Sequence, residues 1–84
     1  MRTELIPQFD RAKGFYSKAC VETYLGSSLK SLFSYDTLVA QVRGDFAVVY
    51  DTYSNTTLRH IKEFLMQNGF RAIDKEQIIS DYKL

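Results

Sequence analysis

Tyr53-Ser54-Asn55-Thr56-Thr57-Leu58-Arg59-His60-Ile61-Lys62-Glu63-Phe64-Leu65-Met66-Gln67-Asn68-Gly69-Phe70 marks both ends of a helix in its own residue types. Ser54 or Asn55 offers a side-chain oxygen to an unpaired amide of the first turn. Gly69 tolerates the left-handed conformation that closes a helix, and Phe70 can fold back onto Leu65. Leu58, Ile61 and Leu65 recur at spacings of three and four with Phe64 beside them, so a helix from about Thr56 to Asn68 has one apolar face. Arg59, Lys62, Glu63 and Gln67 are expected toward solvent. Arg59 and Glu63 stand four apart and can pair for ~0.2–0.5 kcal/mol.

An apolar helix face needs an apolar surface to cover, and the preceding residues supply a sheet. From Phe15 to Leu25 the side chains alternate, Gly26-Ser27-Ser28 turns the chain, and Leu29 to Ser34 alternates again. Tyr35-Asp36 and Gly44-Asp45 are two-residue turns around further strands at Thr37 to Arg43 and Phe46 to Asp51. Pairing Leu25 with Leu29, Phe33 with Leu38 and Val42 with Ala47 gathers Ala19, Val21, Thr23, Leu25, Leu29, Phe33, Leu38, Ala40, Val42, Ala47 and Val49 on a face turned to the helix. The other face then carries Tyr16, Lys18, Tyr24, Lys30, Leu32, Val39, Gln41, Arg43, Phe46, Val48 and Tyr50. Asp74-Lys75-Glu76-Gln77 reads as a capping box opening a short helix, with Ile78, Ile79 and Tyr82 on its buried side. The expected class is α+β: a four-stranded antiparallel β-meander packed on one α-helix, with a short C-terminal helix. Residues 15–84 form that single domain, and residues 1–14, without a hydrophobic period, precede it as a loosely held N-terminal arm.

Composition narrows the function classes. In 84 residues, 11 basic against 10 acidic side chains leave a net charge of +1, so no global field draws the protein to nucleic acid or to an anionic membrane. The lone Cys20 cannot close an internal disulfide, which fits a reducing compartment. No run approaches the ~20 apolar residues that span a bilayer, so the expectation is a soluble protein in the cytoplasm, with no membrane partner. Asn55-Thr56-Thr57 and Arg43-Gly44-Asp45 match a glycosylation sequon and an integrin tripeptide, and are read as a helix cap and a hairpin turn.

No constellation for catalysis stands out. One histidine, His60, precludes a histidine metal cluster, and no zinc spacing, phosphate-binding glycine loop or hydrolase elbow occurs, so neither a metal, a cofactor nor an enzymatic activity is expected. Two binding candidates stand beside their structural alternatives. Ser54, Asn55, Thr56 and Thr57 with Arg59 and His60 can form an anion or nucleotide site at a helix N-terminus, or can simply cap the helix. Tyr16, Tyr24, Phe46 and Tyr50 with Lys18, Lys30 and Arg43 can form a stacking platform for nucleic acid or a nucleotide. Alternatively, the terminal segments or a second copy in a homodimer cover that face.

Lys18-Ala19, Leu32-Phe33-Ser34-Tyr35-Asp36-Thr37-Leu38-Val39-Ala40 and Tyr53 through Leu65 carry a resemblance to small proteins of phages and other mobile elements in Firmicutes. The similarity runs from Phe15 to Tyr82 and is most specific along the helix. That family has no assigned catalytic residues. The resemblance implies a non-enzymatic binding protein acting on a host target, a defence inhibitor of the anti-CRISPR kind. The alternatives it leaves are a nucleic-acid-binding accessory protein and a sponge for a nucleotide signal.

Overall fold

The computed structural model describes residues 1–84. An antiparallel sheet in the order β1 (Arg2–Glu4), β2 (Ala19–Thr23), β3 (Leu29–Ser34), β4 (Thr37–Arg43) and β5 (Phe46–Val49) is followed by α1 (Asn55–Gln67) and α2 (Lys75–Tyr82). It is an α+β meander, with both helices on one side of the sheet. Ile61, Phe64 and Leu65 of α1 and Ile78 of α2 are buried in one cluster with Ala19, Leu32, Ala40, Val42 and Val49. The chain then closes on the β5 edge, where the Leu84 amide donates to the Val49 carbonyl at 2.8 Å.

The ends of α1 follow the expected chemistry. The Ser54 side chain accepts from the Thr57 amide. At the other end Gly69 has φ 84°, and the amides of Phe70 and Gly69 donate to the carbonyls of Leu65 and Met66, the paired bonds of a Schellman ending. Asp74 caps α2 by accepting from the Gln77 amide, while Gln77 reaches back to the amide of Ile73 instead of the expected Asp74. Ile78 is buried, and Ile79 and Tyr82 are half-buried.

The sheet has one more strand than expected, and its faces are partly exchanged. Phe33 pairs with Leu38 and Val42 with Ala47 as anticipated, but β2 and β3 pair through Val21–Leu32 and Thr23–Lys30, with Leu25 left exposed in the connection. An irregularity at Leu32/Phe33 absorbs the difference between this register and that of the β3–β4 turn. A slip of one residue turns every side chain of a strand over. Hence Leu32 lies in the core and Lys30 on the helix side, whereas Leu29, Phe33 and Leu38 leave the core face.

Residues 1–14 are not a loose arm. β1 pairs with β2 through Arg2–Glu22, Thr3–Val21 and Glu4–Cys20, and Leu5 is buried in the core. Beyond Leu5 the chain straps across α1, fastened by Glu63, which is 1% exposed and not turned to solvent as its charge suggested. Its carboxylate accepts from the backbone amides of Gln8 at 2.9 Å, Phe9 at 3.0 Å and Asp10 at 2.8 Å, and from Gln67 Nε2 at 2.6 Å. Burial raises the Glu63 carboxyl, but the donors from Gln67 and the strap outweigh it, and the group titrates below its ordinary range. Arg59 pairs with Asp10 on this strap, at 2.6 Å, in place of the expected Glu63. That guanidinium, above all through its hydrogen bond, lowers the Asp10 carboxyl to about 2.

Candidate functional site

At the N-terminus of α1 the capping function dominates. The Ser54 hydroxyl is taken by Thr57, and the Thr57 hydroxyl is buried 3.1 Å from Ser34 Oγ. Ser34 Oγ lies 2.8 Å from His60 Nδ1, and the edge of Phe15 packs on the imidazole with ring centroids 4.6 Å apart. This chain ties the first turns of α1 to the end of β3. Burial, with Arg59 nearby, pushes the His60 pKa down, so the imidazole is neutral at pH 7. Ser34 and His60 have the separation of a nucleophile and its base, but each is 2% exposed and Ser34 lines no cleft, so no substrate carbonyl reaches its hydroxyl.

Of the remaining residues proposed around this helix end, Thr56 and Arg59 stand with His60 at a cleft of about 220 Å³. Tyr16, Lys18 and Tyr35 line it as well, with the Tyr35 ring tilted beside the imidazole at 5.9 Å between centroids. Thus Tyr16 and Lys18, expected on the outer sheet face, join part of the helix set instead. They leave the sheet because Tyr16 and Ser17 form a turn with φ 54° and 65°, closed by the Lys18 amide on the Phe15 carbonyl at 3.0 Å. Tyr35 and Asp36 form a second such turn, with φ 51° and 64°, joined to the first by the Tyr35 amide on the Lys18 carbonyl at 2.8 Å. Asn55 falls outside this cleft, beside Leu58 and Lys75.

The sheet face away from the helices brings together Tyr24, Arg43, Phe46 and Tyr50. No element covers it, and Phe46 remains 65% exposed. Tyr24 Oη and Gln41 Nε2 meet Ser31 Oγ at 3.0 and 2.8 Å, and the Tyr50 hydroxyl donates to Gln41 Oε1. The connected side chains fix both tyrosine rings. Phe33 carries the Arg2 guanidinium over its ring at 4.1 Å, and Leu29, Arg43, Phe46, Val48 and Tyr50 line a shallow cleft of about 200 Å³.

A family model covers residues 3–81. The chain belongs to DUF8033, a family of unknown function. No curated protein and no solved structure matches it. The match takes in β1 and the strap as well as the meander and both helices, so the N-terminal residues belong to the family's common unit.

Lys30 belongs to neither candidate site. Its ammonium donates to Asn68 Oδ1 at 3.1 Å, at the rim of a cleft of about 340 Å³ between β1–β3 and the C-terminal end of α1. No residue pattern announces this cleft, because it exists only where the unexpected β1 extends the sheet past the helix. No three of the His, Cys, Asp and Glu side chains stand together as metal ligands, and no helix is long and apolar enough to cross a membrane.

Proposed function

We propose that this member of DUF8033 is a non-enzymatic binding protein that docks a protein partner on the outer face of its sheet. The observation that carries this reading is the uncovered outer face, with Tyr24, Phe33, Phe46 and Tyr50 among Leu38, Val48 and Arg43. Aromatic side chains and arginine are the residues on which protein interfaces concentrate binding energy. The hydrogen-bonded chain through Ser31 and Gln41 holds two of the tyrosines in place before contact, which lowers the ordering cost of binding. The resemblance to proteins of phages and mobile elements supports a host protein as the partner and interference with a defence system as the purpose.

Nucleic acid is less well supported on this face. Of the three basic residues first assigned to it, only Arg43 is there, since Lys18 lies at the cleft and Lys30 on the helix side. Capture from host lysate tests the reading when wild type is compared with Phe46→Asp and Lys18→Met. A protein retained by wild type and Lys18→Met but lost with Phe46→Asp supports it. Capture indifferent to Phe46→Asp, or retention of nucleic acid alone, overturns it.

A further inference from the structure

The cleft between the two tyrosine turns and α1 is lined by two nitrogen donors, His60 Nε2 and Lys18 Nζ, that no protein acceptor engages. His60 is 2% exposed and lines this cleft, and its Nδ1 is taken by Ser34. Its Nε2 makes no hydrogen bond within the protein, yet no fully enclosed side-chain nitrogen or oxygen lacks a partner. Nε2 therefore keeps a small exposed surface on a residue that lines the cleft. Ser34 can donate to Nδ1 while accepting from Thr57, which leaves the proton on Nε2 as a fixed donor. Lys18 lines the same cleft, and its ammonium has no carboxylate partner.

The aromatic half of the cleft is equally specific. Tyr16 and Tyr35 are 75% and 52% exposed, and both occupy left-handed backbone that favours glycine or asparagine. At Tyr35 this is the ordinary geometry of the two-residue turn between β3 and β4, whereas at Tyr16 no hairpin requires it and the conformation costs about 1–3 kcal/mol. The cleft volume of about 220 Å³ lies below the ~300–1,000 Å³ of sites that enclose a drug-sized ligand, so a ligand of that size seated here keeps part of its surface in solvent.

We propose that this cleft binds a nucleoside monophosphate, its base against the rings of Tyr16 and Tyr35 and its phosphate held by Lys18 and His60 Nε2–H. Base stacking on tyrosine tolerates any base, and the phosphate supplies the anion that Lys18 and the imidazole lack. Arg59 borders the same space but is engaged by Asp10, so it adds positive potential more than a free donor. This site is independent of the outer sheet face, and either can fail without the other.

His60 is the sole histidine, so its ring signals in an NMR spectrum report this cleft alone. Titration with AMP, GMP, CMP and UMP is expected to shift those signals to saturation, and to raise the His60 pKa in the complex, because a bound phosphate favours the imidazolium. Adenosine and inorganic phosphate are expected to bind at least tenfold more weakly than AMP. Lys18→Met is expected to weaken AMP at least tenfold. Tyr16→Gly relieves the backbone and keeps the fold, so a similar loss there isolates the contribution of the ring. No shift of His60 with any of the four nucleotides at 10 mM overturns the proposal. So does phosphate binding as tightly as AMP, or undiminished AMP binding in both variants.

Discussion

The two faces of the sheet use polar side chains for opposite purposes. On the helix side, Glu63 and the Nδ1 edge of His60 spend their hydrogen bonds on holding segments together: Glu63 the strap at residues 8–10, His60 Nδ1 the end of β3. On the outer side, Ser31, Gln41, Tyr24 and Tyr50 bond among themselves and leave aromatic rings bordering open solvent. A buried polar group that joins distant segments is part of the fold's stability, whereas one that orders an uncovered surface prepares that surface for contact. Substitutions on the two faces should therefore separate folding from binding.

The largest effect is expected at Glu63. Glu63→Ala deprives the strap amides of their acceptor and should cost about 3 kcal/mol, at ~1–3 kcal/mol for each donor left without a partner. For a domain of this size that lowers Tm by roughly 12–24 °C. Hydrogen exchange at residues 8–10 should accelerate more than in β3 or β4; uniform acceleration would mean that Glu63 supports the core and not the strap.

Acid should weaken the same side in two stages. His60, Glu63 and Asp10 all titrate below their ordinary values in the fold, so each contributes stability above its unfolded pKa that is lost as pH falls toward its folded one. The His60 share begins to go below about pH 6.5 and the carboxylate share below about pH 4. Denaturant midpoints measured from pH 8 to pH 3 should show both declines, and His60→Phe should remove the first.

Ser34→Ala is expected next. It leaves His60 Nδ1 enclosed without its partner and should cost ~1–3 kcal/mol, read as a lower urea midpoint. Arg59→Ala breaks a half-exposed pair with Asp10 and should cost less than ~1 kcal/mol, with a salt dependence that disappears in the variant. Phe46→Ser, on the outer face, should change stability by no more than ~0.5 kcal/mol. A large loss of stability there would place Phe46 in the fold and erase the contrast between the faces.

The sequence made one of these faces far easier to read than the other. Local chemistry marks α1: Ser54 at the start and Gly69 with Phe70 at the end are visible without any knowledge of the sheet. Tyr35-Asp36 and Gly44-Asp45 likewise placed the last two hairpins. Leu32 was misassigned because the five residues between β2 and β3 admit more than one register, and a one-residue choice reverses a whole strand. β1 escaped notice because Arg2-Thr3-Glu4 has no apolar alternation and is exposed throughout.

The burial of Glu63 is hidden in the sequence for a similar reason. Its partners are backbone amides 53–55 residues away, which no side-chain pattern announces. One available signal was the spacing of His60, Glu63 and Gln67, which extends the Phe64 side of the helix as a polar stripe at intervals of three and four. For the candidate sites, the sequence named Tyr16, Lys18, Thr56, Arg59 and His60 but divided them between two surfaces. The hairpin turn at Tyr35-Asp36 was legible, but the left-handed turn at Tyr16-Ser17, which those residue types do not favour, is what brings them to one cleft.

The division between the faces is tested most directly by amide chemical-shift mapping of the protein with and without the partner proposed for the outer sheet face. Perturbations centred on Arg43, Phe46, Val48 and Tyr50, with α1 and the strap unmoved, are the expected result. Perturbations confined to α1, the strap or α2, with the outer sheet unchanged, would contradict it.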